Sequence, residues 1–376
     1  MRVLFVISGL AFGGAERQVI LLSRELARRG HKLCIYTLTS DTRRMDELGG
    51  APVELVVDQK RAKLDLGVLA RLRRHVLAWR PDVIHGFLFD GNFYSRLAGW
   101  GCGAPVLNSE RNDNYDVPLV QRIGYRLSSM LCDGIVANSY AGADFARRLH
   151  RSLEVDVVWN GIDVAEVDER LARGAQPALE IYPGGGLKRI SMVASIKPQK
   201  DHRLALRVLR HLADRDPSWR LICVGDELTD RARGYKAQVL AERDRLGLEP
   251  FVKFVGYRRD VHEIVASSDL MLVTSAHEGF PNAVLEAMAC NTAVVSTDYS
   301  DARRILPVRE TVVGSRDAGE IAAAVERCYA RRAEIAATQR RWVEQHATTS
   351  AAATALLALY ARHIAGSALS TQGAPP

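Results

Sequence analysis

No run of 18 or more apolar residues occurs in the 376-residue chain, so no segment of it is expected to span a bilayer. The apolar start at 3–8 is followed by Gly9 and Gly13-Gly14 with no small-residue cleavage pattern. It therefore reads as a first buried strand rather than a signal peptide, and a cytoplasmic location is expected. Cysteine is sparse. Cys34, Cys102, Cys132, Cys223, Cys290 and Cys328 are scattered, form no C-x-x-C pair or zinc-type spacing, and mostly sit in apolar segments. Reduced, buried thiols are the expectation. Aromatic–basic interleaving and DNA-binding motifs are absent, which argues against nucleic acid despite a net charge of +7. No G-x-G-x-x-G follows a first strand, which counts against a dinucleotide oxidoreductase. The Asp-x-Asp pattern that would hold a metal-bound diphosphate occurs only as Asp214-Arg215-Asp216, at the end of a predicted helix before Pro217. It reads as solvated punctuation, and no metal is expected.

What is present is a globular composition, 47% apolar and 25% charged, in a length suited to two domains. Short β-branched runs at 3–8, 33–39, 53–57, 83–85, 106–108, 134–137 and 155–158 alternate with helical patterns such as 15–29, 66–79 and 119–131. The pattern breaks at 178–187, around Pro177, Pro183 and three successive glycines. It then restarts, with strands at 190–194, 221–224, 252–255, 270–273 and 293–296 and helices at 203–214, 232–246 and 282–289. Strands alternating with helices predict α/β domains with parallel sheets, and ligands outside the carboxyl ends of their strands. The expected organisation is two Rossmann-like doubly wound domains, 1–180 and 187–345, facing each other across a cleft. A helix at 346–365 is expected to fold back across the lobes, ahead of a loose tail at 366–376. Lys60, Arg61, Lys63, Arg71, Arg73, Arg74 and Arg80 crowd one stretch. A solvated helix face explains them, and so does attraction to an anionic membrane or a phosphorylated acceptor.

The segment Glu278-Gly279-Phe280-Pro281-Asn282-Ala283-Val284-Leu285-Glu286-Ala287-Met288-Ala289 follows a predicted strand. Pro281 stands where a helix begins, and Gly279 permits close backbone approach to a ligand. Free N–H groups at such a helix start, at the positive end of its dipole, form an anion site. Two isolated glutamates would read as surface charges. The whole string resembles the signature of glycosyltransferase family 4, whose E-x7-E motif is matched by Glu278 and Glu286. Other pieces agree in order: Gly13-Gly14-Ala15-Glu16-Arg17, Pro81-Asp82-Val83-Ile84-His85, Ala137-Asn138-Ser139, Asn160-Gly161-Ile162-Asp163, Lys200, Val224-Gly225-Asp226, Phe254-Val255-Gly256-Tyr257 and Ser275. Two departures stand out. Ala194-Ser195-Ile196 replaces the family's Gly-Arg-Leu, leaving no arginine at 195, where Lys197 is a candidate substitute. Ser300-Asp301-Ala302-Arg303 replaces a glycine pair.

The resemblance implies a GT-B fold and retaining transfer of a hexose or N-acetylhexosamine from a nucleotide sugar, UDP-linked first. The acceptor is expected to be a glycan or lipid-linked, in surface polysaccharide synthesis, with no cofactor. Lys200 would stabilise the leaving diphosphate, Glu278 would meet the donor sugar, and Glu286 would hold the ribose. His85 is a candidate for positioning sugar or acceptor. Gly13, Gly14, Ser195, Lys197, Gly225, Tyr257, Gly279, Phe280, Pro281, Asn282 and Ala283 complete the donor set, with Glu110 and Arg111 on the acceptor side. Charge growing on the diphosphate needs positive groups aimed at it. Charge-assisted contacts are worth about 1.5–3 kcal/mol each, so losing Lys200 is expected to cost roughly one to two orders of magnitude in rate. The competing readings are an epimerase of the same architecture, which would turn over the sugar nucleotide without an acceptor, and a non-catalytic nucleotide-sugar sensor.

Overall fold

The computed structural model describes every residue except 12, 63, 112–122, 125–126, 151, 228–233 and 373–376, and side chains at 368–372 also lie outside the description. Parts of the helices expected over 119–131 and 232–246, the end of the expected tail, and Lys63 fall on these residues. The chain divides into two compact units, Met1–Gly161 with Thr349–Pro376, and Ile162–Thr348.

In the first unit, β1 (Arg2–Ile7), β2 (Lys32–Thr37), β3 (Val53–Val57), β4 (Val83–Gly86), β5 (Val106–Glu110), β6 (Gly134–Ala137) and β7 (Val155–Val157) form one sheet. Its order is β3-β2-β1-β4-β5-β6-β7, every pairing parallel. The β1 side chains sort by parity, as a pleated strand requires. Val3, Phe5 and Ile7 pack with Val19, Ile20 and Leu26 of helix Gly14–Arg28. Leu4 and Val6 pack with Val68, Leu72 and Val76 of helix Leu66–Trp79 and with Tyr94 and Ala98 of helix Leu88–Gly99. Asp65 caps helix Leu66–Trp79 by accepting from the Val68 N–H at 3.1 Å. The last helix, Thr349–Gln372, adds Ala353, Leu356, Leu359 and Tyr360 to the Val3–Phe5 face of this core. The helix corrects the expected loose tail. It runs through residue 372 because its alanines and leucines favour the helix and no proline interrupts it.

The second unit repeats the architecture. β8 (Lys188–Val193), β9 (Trp219–Val224), β10 (Val252–Phe254), β11 (Leu270–Val273), β12 (Val294–Thr297) and β13 (Val312–Val313) are parallel in the order β10-β9-β8-β11-β12-β13. Its core joins Ile190, Met192, Leu221, Leu270 and Val295 to Leu204, Val208, Leu212, Ile321 and Val325. The proline–glycine break at 178–187 lies inside this unit rather than at the boundary, which is earlier, at Gly161/Ile162. Ala178 and Tyr182 pack on Ile222, Val224 and Ile264. The Arg189 guanidinium donates to the Tyr182 and Gly184 carbonyls, each at 2.7 Å, and so holds the glycine turn against β8. All six cysteines are free, and all but Cys102 are buried.

Candidate active site

In both sheets the strand order reverses beside the first strand, and a crevice opens at the carboxyl ends on either side of that switch point. In the second unit the switch lies between β8 and β11. The turn after β8 and the loop after β11 are stitched together. Ala276 N–H donates to the Gln199 carbonyl at 2.8 Å, and the Gln199 amide donates to the His277 carbonyl at 2.7 Å. The Thr274 hydroxyl lies 3.0 Å from both the Lys200 and Asp201 carbonyls. Asp201, at φ +46°, ends the turn and caps helix His202–Arg215 through the Leu204 N–H at 3.1 Å.

This stitching brings Lys200 onto Glu278. Their ammonium and carboxylate form an ion pair, with side chains 18% and 9% exposed. Ser275 donates to the same carboxylate oxygen at 2.6 Å, and Ser300 donates to the Glu278 carbonyl at 2.5 Å. Thr297 donates to the Ser275 carbonyl at 2.7 Å. Arg316 reaches the Ser275 carbonyl at 3.0 Å and the Asp201 carboxylate at 2.6 Å. Glu278 is thus fixed from both sides of the crevice. A cavity here is lined by Ala194, Lys200, Ser275, Glu278, Pro281 and Ala283, beside the start of helix Asn282–Ala289. Pro281 occupies the cap position of that helix in extended conformation.

Other expected donor residues sit close in sequence but do not line this cavity. Glu286 is half-buried within the helix, as are Asn282 at its start and Ser195 and Lys197 after β8, while Gly279 and Phe280 are buried. Gly225 has a clear structural task. At φ +125° an added Cβ would lie 2.2 Å from the Ala194 carbonyl oxygen, so β9 can pass this close to the β8 turn only with glycine there. Gly225 bridges Gly256, and Tyr257 beyond it is half exposed. Arg316, Thr297 and Ser300 were not among the expected site residues. Arg316 is 115 residues from Asp201, and no local pattern marks it.

In the first unit, Gly13 caps helix Gly14–Arg28 in extended conformation, and the Glu16 side chain folds so close that a Cβ at 13 would meet its carboxylate at 2.1 Å. Gly14 is exposed. The expectation for His85 as a catalytic group meets a different geometry. The ring is 1% exposed and stacked on Phe87 at 4.4 Å. One nitrogen lies 2.6 Å from the Tyr360 hydroxyl and the other 2.9 Å from the Ser109 hydroxyl. Burial, reinforced by the Arg111 charge, pushes its pKa well below the usual range and keeps it neutral. With both nitrogens bonded inside the unit, His85 ties the last helix to β4 and β5. Glu110 is buried, and Arg111 donates to Asn160 at 2.6 Å.

The remaining charges are largely committed to the fold. Lys60 pairs with Asp90 and Arg71 with Asp58, while Arg73 donates to the Ala98 and Trp100 carbonyls. Asp214 pairs with Arg210 and Asp216 with Lys188, so both carboxylates of the Asp-x-Asp pattern serve as structural ion pairs.

Residues 12–166 match the model of glycosyltransferase family 4, and residues 187–331 match that of group 1 glycosyl transferases. The chain belongs to glycosyltransferase family 4. This glycosyltransferase is 26% identical over 333 residues to the putative glycosyltransferase EpsF of Bacillus subtilis, covering 79% of each chain. It is 25% identical over 310 residues to the phosphatidyl-myo-inositol mannosyltransferase of Mycobacterium tuberculosis, covering 78% of this chain and 76% of that one. The crystal structure of Anabaena HepE in complex with UDP superposes with a TM-score of 0.82 at 19% identity, over 96% of this chain and all of the other. The fold is therefore GT-B, built from two Rossmann-like units.

Proposed function

We propose that this glycosyltransferase moves a hexose or N-acetylhexosamine from a UDP-sugar to a glycan or lipid-linked acceptor with retention of configuration. The observation that carries the reading is the Lys200–Glu278 pair, steadied by Ser275, at the switch point of the second sheet and beside the start of helix Asn282–Ala289. Breaking the sugar–phosphate bond places negative charge on the diphosphate. The Lys200 ammonium and the N–H groups at the helix start supply positive charge there without a metal ion. In this reading Lys200 leaves Glu278 for the phosphate when donor binds, which frees the carboxylate to face the sugar. Glu286, farther along the helix, takes the ribose hydroxyls. Complexes of Anabaena HepE with UDP and with UDP-glucose support a uridine donor. A thermal-shift panel of nucleotides and nucleotide sugars tests the proposal, since a ligand at 100 times its Kd stabilises by about 2.7 kcal/mol. UDP and one UDP-sugar should raise the melting temperature, and Glu286→Ala should blunt the gain. A response to no nucleotide would sink the reading.

The acceptor is proposed to be met at an anionic membrane surface. Leu66 and Leu77 are exposed on helix Leu66–Trp79 together with Arg74, and Arg61 is exposed just before it. Co-sedimentation with anionic but not neutral vesicles, lost on Leu66→Glu with Leu77→Glu, is the expected result.

A further inference from the structure

A buried cation needs a counter-charge, because an ion removed from water and left unpaired is costly. Arg111, half-buried just after β5, has no such charge in direct contact with it. Among the described residues no carboxylate forms an ion pair with it. Its guanidinium donates one hydrogen bond, to Asn160 at 2.6 Å, and sits 5.1 Å from the Phe87 ring. Its Nε is buried with no partner. Burial holds its pKa down at about 10, with Tyr360 and Glu16 acting against that. Arg111 lines a narrow cavity with Gln18, His85, Asn138, Val158 and Asn160. Asn138 is 4% exposed, and its side-chain oxygen is also buried without a partner. Buried polar groups are nearly always bonded, and these two unpartnered atoms belong to residues that line one cavity. Neutral His85 adds no competing charge.

We infer that this cavity is a subsite for an oxyanion, one edge of a phosphate group on the acceptor, held by Arg111 and steered by Asn138. The inference rests on the transferase reading and adds to it that the acceptor is a phosphorylated molecule. The cavity has room for an oxygen-sized group, so a phosphate would enter by one edge, with the rest of the acceptor outside. The Arg111 Nε–H would donate to a phosphate oxygen. Asn138 would accept from an adjoining hydroxyl, or donate to the phosphate with its amide turned over.

The test uses the full-length protein saturated with UDP, titrated with inorganic phosphate in a calorimeter. Saturable binding is expected, weakened at least about tenfold by Arg111→Met. Asn138→Asp is the second variant. It places a carboxylate in the cavity beside Arg111, so the protein should remain folded and bind UDP normally while phosphate binding disappears. Absence of saturable phosphate binding to the UDP-saturated wild type would overturn the inference, as would binding untouched by either variant; both outcomes leave a water as the occupant. Loss of UDP affinity in Arg111→Met with UDP still bound by Asn138→Asp would also overturn it, because the oxyanion would then belong to the donor. Should UDP itself fail to bind, the donor reading falls, and phosphate titrated alone still decides for or against the cavity.

Discussion

Replacing Lys200 with alanine leaves the Glu278 carboxylate buried with Ser275 as its remaining side-chain partner. Removing one member of a fully buried ion pair costs about 3–5 kcal/mol, most of it the stranded charge. Here the side chains are 18% and 9% exposed and one hydrogen bond survives, so the expected loss is about 2–3 kcal/mol. For a unit of this size that is a fall of roughly 4–12 °C in melting temperature. Neutralising the partner should remove most of the penalty. In a Glu278→Gln background, Lys200→Ala should cost less than about 1 kcal/mol. Donor binding reports separately. If Lys200 contributes one to two orders of magnitude to UDP affinity, the stabilisation from UDP should drop from about 2.7 to about 0.4–1.4 kcal/mol in Lys200→Ala. Thermal denaturation of the four proteins, with and without UDP, supplies both numbers. An equal cost of Lys200→Ala in both backgrounds would refute the coupling. An unchanged response to UDP would refute the role at the diphosphate.

His202, next in sequence to the Lys200 turn, is buried with neither ring nitrogen bonded, and burial followed by the Lys200 charge takes its pKa from 6.5 to about 4. The folded state resists protonation, so this stability is complete above pH 6.5 and is lost as pH falls toward 4, about 3 kcal/mol in all. Urea titrations across that range should show the slope in the wild type and a flatter one in His202→Leu. Gly225→Ala forces a Cβ to 2.2 Å from the Ala194 oxygen at a positive φ, and should cost more than about 2 kcal/mol or prevent soluble expression. Tyr360→Phe removes the 2.6 Å contact with His85, and should lower stability by about 1–2 kcal/mol and speed hydrogen exchange across Thr349–Gln372.

The strands were the most legible part of the sequence. β3, β6 and β11 coincide with the expected runs at 53–57, 134–137 and 270–273, and helices Leu66–Trp79 and Asn282–Ala289 match their patterns. The two-residue β13 and the helices Leu88–Gly99 and Tyr140–Leu149 were not anticipated. Leu88–Gly99 carries asparagine, serine and arginine buried against the sheet, which hides its apolar face from any periodicity count. The pairing of Lys200 with Glu278 follows from two loops meeting at a switch point, and the resemblance named both residues without giving that contact. His85 shows the opposite limit. A histidine at a strand end looks available in the sequence, but a tyrosine 275 residues away occupies one of its nitrogens. Arg111 is legible as a charge, whereas its unpartnered Nε depends on the whole unit being assembled.

The return of Thr349–Gln372 to the first unit has a consequence for biosynthesis. The ribosome releases β1 through β7 long before Leu356, Leu359 and Tyr360 exist, so the face of the first sheet built on Val3 and Phe5 must wait uncovered while the whole of Ile162–Thr348 is made. The second unit is contiguous and can mature as it emerges, whereas the first closes only with the final two dozen residues. A nascent chain arrested before Thr349 should therefore hold one finished unit and one chaperone-dependent one, in the reverse of their order along the message.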